Sequence, residues 1–199
     1  MPGLLANINV RYKLAPSGAM RRPIERAGQG KENGVGKLSI EDRLALQDLM
    51  ADYAWALDTG DVEGLVAVFT ADCVMTEEVF EDPDIWHGHE GIRGLARHYF
   101  NAPGFPGRQH HTSQIQFRPQ ADGSVDLRSF AFVTECEGEP PYSLRFTGYY
   151  EDKAVKEADG GWRFKSRTVR LWDGAILKAF PVRGTWTPRK RPPSLMRTS

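Results

Sequence analysis

The chain has 199 residues, 26 Lys or Arg balanced by 26 Asp or Glu, and 40% hydrophobic residues, the composition of one domain with tails, large enough to bury a core around a cavity. No apolar run approaches the roughly 18 residues a membrane span needs. The zero net charge is unevenly spread: residues 1–37 hold seven basic residues against two acidic, residues 183–199 hold five against none, and residues 38–182 carry a net charge of −10, which argues against a nucleic-acid groove in the body of the protein.

Residues 1–37 are rich in Gly and Pro and are expected to form a flexible basic extension, because they bury too little to offset the entropy of ordering. Their first 24 residues have no acid, as in organelle transit peptides, but neither an amphipathic helix nor a secretory apolar core accompanies this, so a plain extension is expected. The basic tail 183–199 is read the same way, leaving 38–182 as the folded domain. Cys73 and Cys136 lack metal-ligand spacing and lie in strand-like stretches, which fits free thiols in a reducing cytoplasm. No metal or cofactor is expected, since His87-Gly88-His89-Glu90 reads better as a loop entering a helix than as part of a ligand set.

The first element is a helix beginning near Ile40. Ser39 followed by Asp42 is a capping-box-like start, and Leu46, Leu49, Met50, Tyr53 and Leu57 recur at steps of three and four, forming a stripe that must be buried. Thr59-Gly60-Asp61 ends this helix and caps a short second one reaching Phe69. Cys73 to Phe80 reads as a strand, Asp82-Pro83-Asp84 as its break, and Glu90 to Phe100 as a third helix buried through Ile92, Leu95, Ala96 and Tyr99. Four long strands follow, Gln109–Arg118, Ser124–Glu137, Tyr142–Val155 and Trp162–Trp172, separated by Asp122-Gly123, Glu139-Pro140-Pro141 and Asp159-Gly160-Gly161. Three helices before a run of strands is an α+β pattern, with the helices on one face of a curved sheet and a pocket at its open end.

Asp58 stands on the last turn of the first helix. Tyr53, five residues earlier, is about 140° away around the axis, so the two can flank one cavity. His110 and His111 open the strand after the third helix. Alternation groups His111 with Ser113, Ile115 and Phe117 on the more apolar side, and His110 with Thr112, Gln114 and Gln116 on the more polar one. A core histidine at 111 and a pocket histidine at 110 satisfy both patterns, whereas a bulge exchanges the roles. Arg167 and Arg170, on the last strand, are candidates for an anionic substrate group or for cross-strand pairs with acids. Trp55, Trp86, Trp162 and Trp172 are candidates for an aromatic pocket wall or for ordinary core and subunit contacts.

Tyr53-Ala54-Trp55-Ala56-Leu57-Asp58-Thr59-Gly60-Asp61, Phe69-Thr70-Ala71-Asp72-Cys73, Gly88 ahead of Gly91-Ile92, Arg108-Gln109-His110-His111, Gly148-Tyr149-Tyr150-Glu151-Asp152 and Gly161-Trp162-Arg163-Phe164 together resemble the SnoaL-like branch of the nuclear transport factor 2-like superfamily over about residues 38–175. The resemblance implies a cone-shaped, cystatin-like α+β fold, with three helices on a strongly curved antiparallel or mixed sheet. It also implies a homodimer or homotrimer, and a pocket of the kind used by scytalone dehydratase, bile-acid 7α-dehydratase, ketosteroid isomerases and polyketide cyclases. In the dehydratases an Asp ending the first helix faces a His opening the strand after the third; Asp58 and His110 match these, and Tyr53 matches a tyrosine of the bile-acid enzyme.

By that likeness His110 is the base, Asp58 its orienting partner and Tyr53 a hydrogen-bond donor, with His111, Trp55, Trp86, Glu135 and Arg170 as substrate contacts. Two positions depart from the scytalone dehydratase pattern: Thr134 or Glu135 stands in place of a second pocket His, and Thr76 or Glu77 in place of a Tyr. The function implied is a cofactor-independent lyase or isomerase acting on a small apolar cyclic compound such as a steroid, terpenoid or polyketide. The alternatives are a non-catalytic ligand-binding or oligomerising protein, and a relative of the small subunit of ring-hydroxylating dioxygenases, which would need a large iron–sulfur partner.

Overall fold

The computed structural model describes residues 37–103, 105–136, 143–172 and 190–191. The flexible extensions expected at both ends, and the Glu139-Pro140-Pro141 turn, lie outside the described residues, apart from Lys37, Lys190 and Arg191. The elements are α1 (Ile40–Thr59), α2 (Val62–Ala67), β1 (Phe69–Glu78), β2 (Asp84–His87), α3 (Gly88–Phe100), β3 (Arg108–Pro119), β4 (Val125–Glu135), β5 (Ser143–Lys156) and β6 (Trp162–Leu171). Among them no helix is long and apolar enough to cross a membrane.

The start of α1 follows its sequence signal: the Asp42 N–H donates to Ser39 Oγ at 3.0 Å. Gly60 ends it in the left-handed region, φ 79°, where a side chain would be strained. The stripe Leu46, Leu49, Met50, Tyr53 and Leu57 is buried, with Ala56 beside it. Asp61 caps α2, accepting from the Gly64 N–H at 2.9 Å.

The six strands form one mixed sheet in the order β2-β1-β6-β5-β4-β3. All neighbours run antiparallel except β1 and β6, which are parallel. Two readings of the sequence are corrected here. Phe69 belongs to β1 and not to the second helix, because α2 ends at Ala67 and Phe69 pairs with Phe164 of β6. The segment after the Asp82-Pro83 break is a strand, β2, too short to show periodicity and formed by pairing Asp84–His87 with β1.

The sheet is curved and unclosed, and the helices pack in its concavity. Tyr53 of α1 meets Phe69, Tyr150 and Phe164 edge-on at centroid distances of 6.0–6.2 Å. At the centre of this aromatic cluster lies Arg167. Its guanidinium is fully buried, paired with Asp152 at 2.9 and 2.8 Å, and placed 4.0 Å from the Tyr53 ring centroid and 4.1 Å from that of Phe164. A charge so far from water is tolerable only because a carboxylate and electron-rich ring faces surround it.

A candidate acid–base pocket

The concave face leaves a cavity of about 200 Å³. Leu57, Leu95, Phe105, Val133, Phe146 and Val169 give it apolar walls, drawn from α1, α3, the loop before β3 and three strands. Phe146 has room for its ring because position 148 is glycine: a Cβ there would run into that ring and into the Arg170 carbonyl.

His110 reaches this cavity through a distortion in β3. Before it, His110 pairs with Val133 and Thr112 with Ala131; after it, Gln116 pairs with Arg128 and Phe117 with Leu127. The register shift between Ser113 and Gln116, with Gln114 at φ 49°, is a bulge that adds a residue. Strict alternation would set His110 apart from Ile115 and Phe117; the bulge puts it on their face, so the core side and the pocket side of β3 coincide. His111 turns to the other face, where it stacks on Phe132 at 4.5 Å and its Nε2 meets Thr134 Oγ1 at 3.0 Å.

Asp58 holds His110 at two points. Its Oδ1 lies 2.5 Å from Nδ1 of the ring and its Oδ2 accepts the His110 backbone N–H at 2.6 Å, joining residues 52 apart in sequence. Asp58 Oδ1 accepts a hydrogen bond from Nδ1–H, the tautomer that leaves Nε2 as the basic nitrogen. The two carboxylate contacts fix ring and backbone together, so the ring is oriented before any ligand arrives.

Glu77 faces the same cavity from β1. In a flat sheet β1 and β3, with three strands between them, would stand about 19 Å apart; curvature brings residues of both to one cavity. Glu77 is buried and accepts hydrogen bonds from Tyr99 Oη at 2.7 Å and Trp86 Nε1 at 3.2 Å. Burial pushes its carboxyl up to about 7 despite these donors. Tyr53 also lines the cavity, and burial raises its phenol to about 12, so it stays a protonated donor at neutral pH.

The expected dyad residues thus meet at one pocket, and the expected substrate contacts fare differently. Trp55 is 72% exposed and lies by a separate surface depression on the far side of α1, because it falls off the buried stripe. Trp86 is not a lining residue and donates to Glu77, and His111 turns away as described. Arg170 pairs with Glu151 at 3.0 Å and with Glu78, taking the cross-strand alternative. Glu135 is fully buried behind the wall, between Arg108 and Arg145. Tyr99, Arg108, Arg145 and Tyr150 line the cavity without having been singled out as pocket residues from the sequence, which named Glu77 only as one of two residues standing in place of a scytalone dehydratase tyrosine. Glu77 had a signal, since Cys73, Met75, Glu77 and Val79 form one alternating row and the acid interrupts an apolar face. Among the described residues no three His, Cys, Asp or Glu side chains gather as a metal site; His89 instead places Nε2 3.0 Å from the Phe69 carbonyl.

Helices packed on a curved, unclosed mixed sheet are the arrangement of the cystatin-like fold of nuclear transport factor 2-like proteins. The SnoaL-like domain profile matches residues 38–168, and the chain belongs to that family. No curated protein matches it. Among solved structures it is similar to Rv3472, a function-unknown protein from Mycobacterium tuberculosis, with 24% identity and a TM-score of 0.58 over 72% of this chain and 84% of that one. A Nostoc punctiforme protein with a cystatin-like fold is 21% identical, with a TM-score of 0.60 over 70% and 97% of the two chains. A protein provisionally assigned as a scytalone dehydratase, from Novosphingobium aromaticivorans, is 25% identical, with a TM-score of 0.53 over 66% and 84%.

Proposed function

We propose that the protein is a cofactor-independent lyase or isomerase that abstracts a proton from a small cyclic hydroxy or carbonyl compound. The observation that carries this is the doubly anchored Asp58–His110 pair at the wall of a cavity with mostly apolar walls. His110 Nε2 removes a proton next to the substrate carbonyl, and Asp58 stabilises the positive ring that results. Tyr53 is the hydrogen-bond donor facing the charge that develops on oxygen, since the Tyr99 hydroxyl gives its proton to Glu77. In an elimination the departing hydroxyl needs a proton to leave as water; Glu77, near half-protonated at neutral pH, supplies it from the opposite wall.

The cavity, at about 200 Å³, is smaller than the roughly 300–1,000 Å³ that hold drug-sized ligands. This favours one- or two-ring compounds over a whole steroid. Similarity in sequence and fold to the protein provisionally assigned as a scytalone dehydratase supports the reaction class.

The test is a panel of one- and two-ring hydroxyketones incubated with the protein and followed by mass spectrometry and NMR for loss of water or movement of a double bond. His110→Ala and Asp58→Asn should each lower kcat/KM by about 10²–10⁴. Tight binding with no turnover by any member would favour a ligand-binding protein instead.

A further inference from the structure

Charge reaches the cavity at a place the acid–base chemistry does not use. Arg108 lies two residues before His110 on β3, on the same face and about 7 Å along the strand. Its register partner is Glu135 of β4, whose side chain is 0% exposed. Arg145 arrives from β5. There the pairing passes from Val133↔Phe146 to Thr134↔Leu144, which leaves Arg145 as the extra residue of a second bulge. A bulge re-aims the side chain it carries, and Arg145 lines the cavity beside Phe146 with its side chain still 47% exposed.

Glu135 fixes both arginines without satisfying them. It forms an ion pair with Arg145 Nε, but Arg108 Nη2 stands 3.7 Å from Oε1, beyond hydrogen-bond reach. The Arg108 guanidinium lies over the Phe105 ring at 5.1 Å, and its Nε is buried with no acceptor among the described residues. The other acids at the cavity are committed, Asp58 to His110 and Glu77 to Tyr99 and Trp86. Among the described residues two guanidinium groups therefore share one carboxylate, leaving one positive charge and the buried Arg108 Nε unmatched at the cavity wall. A buried donor without a partner is costly, and a planar anion is the group that matches a guanidinium fork.

From this geometry we infer that Arg108 and Arg145 form an anion subsite, and that the ligand of this cavity is an apolar ring compound bearing a carboxylate. The carboxylate sits on the arginines and the ring lies along the apolar wall toward His110, with the reacting carbon a ring's width from the anchor. As a statement about the substrate this rests on the proposed acid–base reading; as a statement about binding it stands alone.

The experiment is isothermal titration of the full chain with 1-naphthoate and with its neutral isostere 1-naphthamide, at low and high salt. The carboxylate should bind at least about tenfold more tightly, with a margin that narrows as salt rises. The preference should fall toward unity in Arg108→Gln and in Arg145→Gln, survive in part in Arg108→Lys, and persist in Arg170→Gln, whose guanidinium does not line the cavity. Equal affinity for acid and amide, no saturable naphthoate binding at millimolar concentration, or a preference that survives both Gln variants would overturn the subsite. The wild-type comparison needs neither a folded variant nor turnover. His110-dependent turnover of neutral ketones with no preference for the acid would remove the subsite alone, and acid preference without any turnover would remove the catalytic reading alone.

Discussion

Glu77 and Arg167 show how single charges are kept inside this fold, and each makes a stability prediction of its own. Burial raises the Glu77 carboxyl from 4.5 to about 7. A group whose pKa is higher in the folded state binds its proton more tightly there, so its contribution to stability is complete below about pH 4.5 and is lost as pH rises through about 7. Urea unfolding across that window should show wild type losing on the order of 3 kcal/mol from this group, and Glu77→Gln, which keeps partners for Tyr99 and Trp86, should lack that slope. The same slope in both proteins would contradict the assignment.

Arg167→Met strands the Asp152 carboxylate in the core and should cost about 3–5 kcal/mol in the same assay, most of it recovered when Asp152→Leu is added. The sequence offered Arg167 a cross-strand acid, and Asp152 of the neighbouring strand is that partner. Its burial and its aromatic surroundings were not legible there, because Tyr53, Tyr150 and Phe164 reach it from three separate elements.

Among the elements, α1 was legible throughout, whereas β3 was legible as a strand but not in which way its residues face, for a physical reason. A helix writes its burial at a period of 3.6, and α1 carries its stripe, its Ser39 cap and its Gly60 stop over 20 residues with no interruption. A strand writes its burial at a period of 2, and one added residue reverses the message downstream. The bulge around Gln114 does this, which is why the sequence alone left His110 and His111 as alternatives. Gln114 itself carries no turn signature, and an ordinary side chain at φ 49° is strained. Gln114→Gly should therefore be neutral or stabilising by up to about 1 kcal/mol, while Gln114→Val should destabilise by roughly 1–2 kcal/mol, read by thermal unfolding. The Arg145 bulge escaped the sequence in the same way, and with it the positive end of the cavity.

For the whole molecule, the α+β order of helices and strands and the family were legible, and the contents of the pocket were legible in part. Asp58, His110 and Tyr53 were singled out by their places at the ends or on the stripe of recognisable elements together with the family resemblance. The opposing wall, with Glu77 and Tyr99, was not, since facing β1 toward β3 depends on the curvature of a sheet with three strands between them. The same curvature builds the chemistry, bringing base and acid from opposite ends of the sheet to one cavity.

Proton abstraction alone can be followed by NMR of 1-tetralone, a two-ring ketone, in D₂O with wild type and with His110→Ala. Wild type should accelerate exchange of the hydrogens next to the carbonyl above the buffer rate, and the variant should return to the buffer rate. Exchange unaffected by the protein, or equal in the two proteins, would contradict His110 as the base of this pocket.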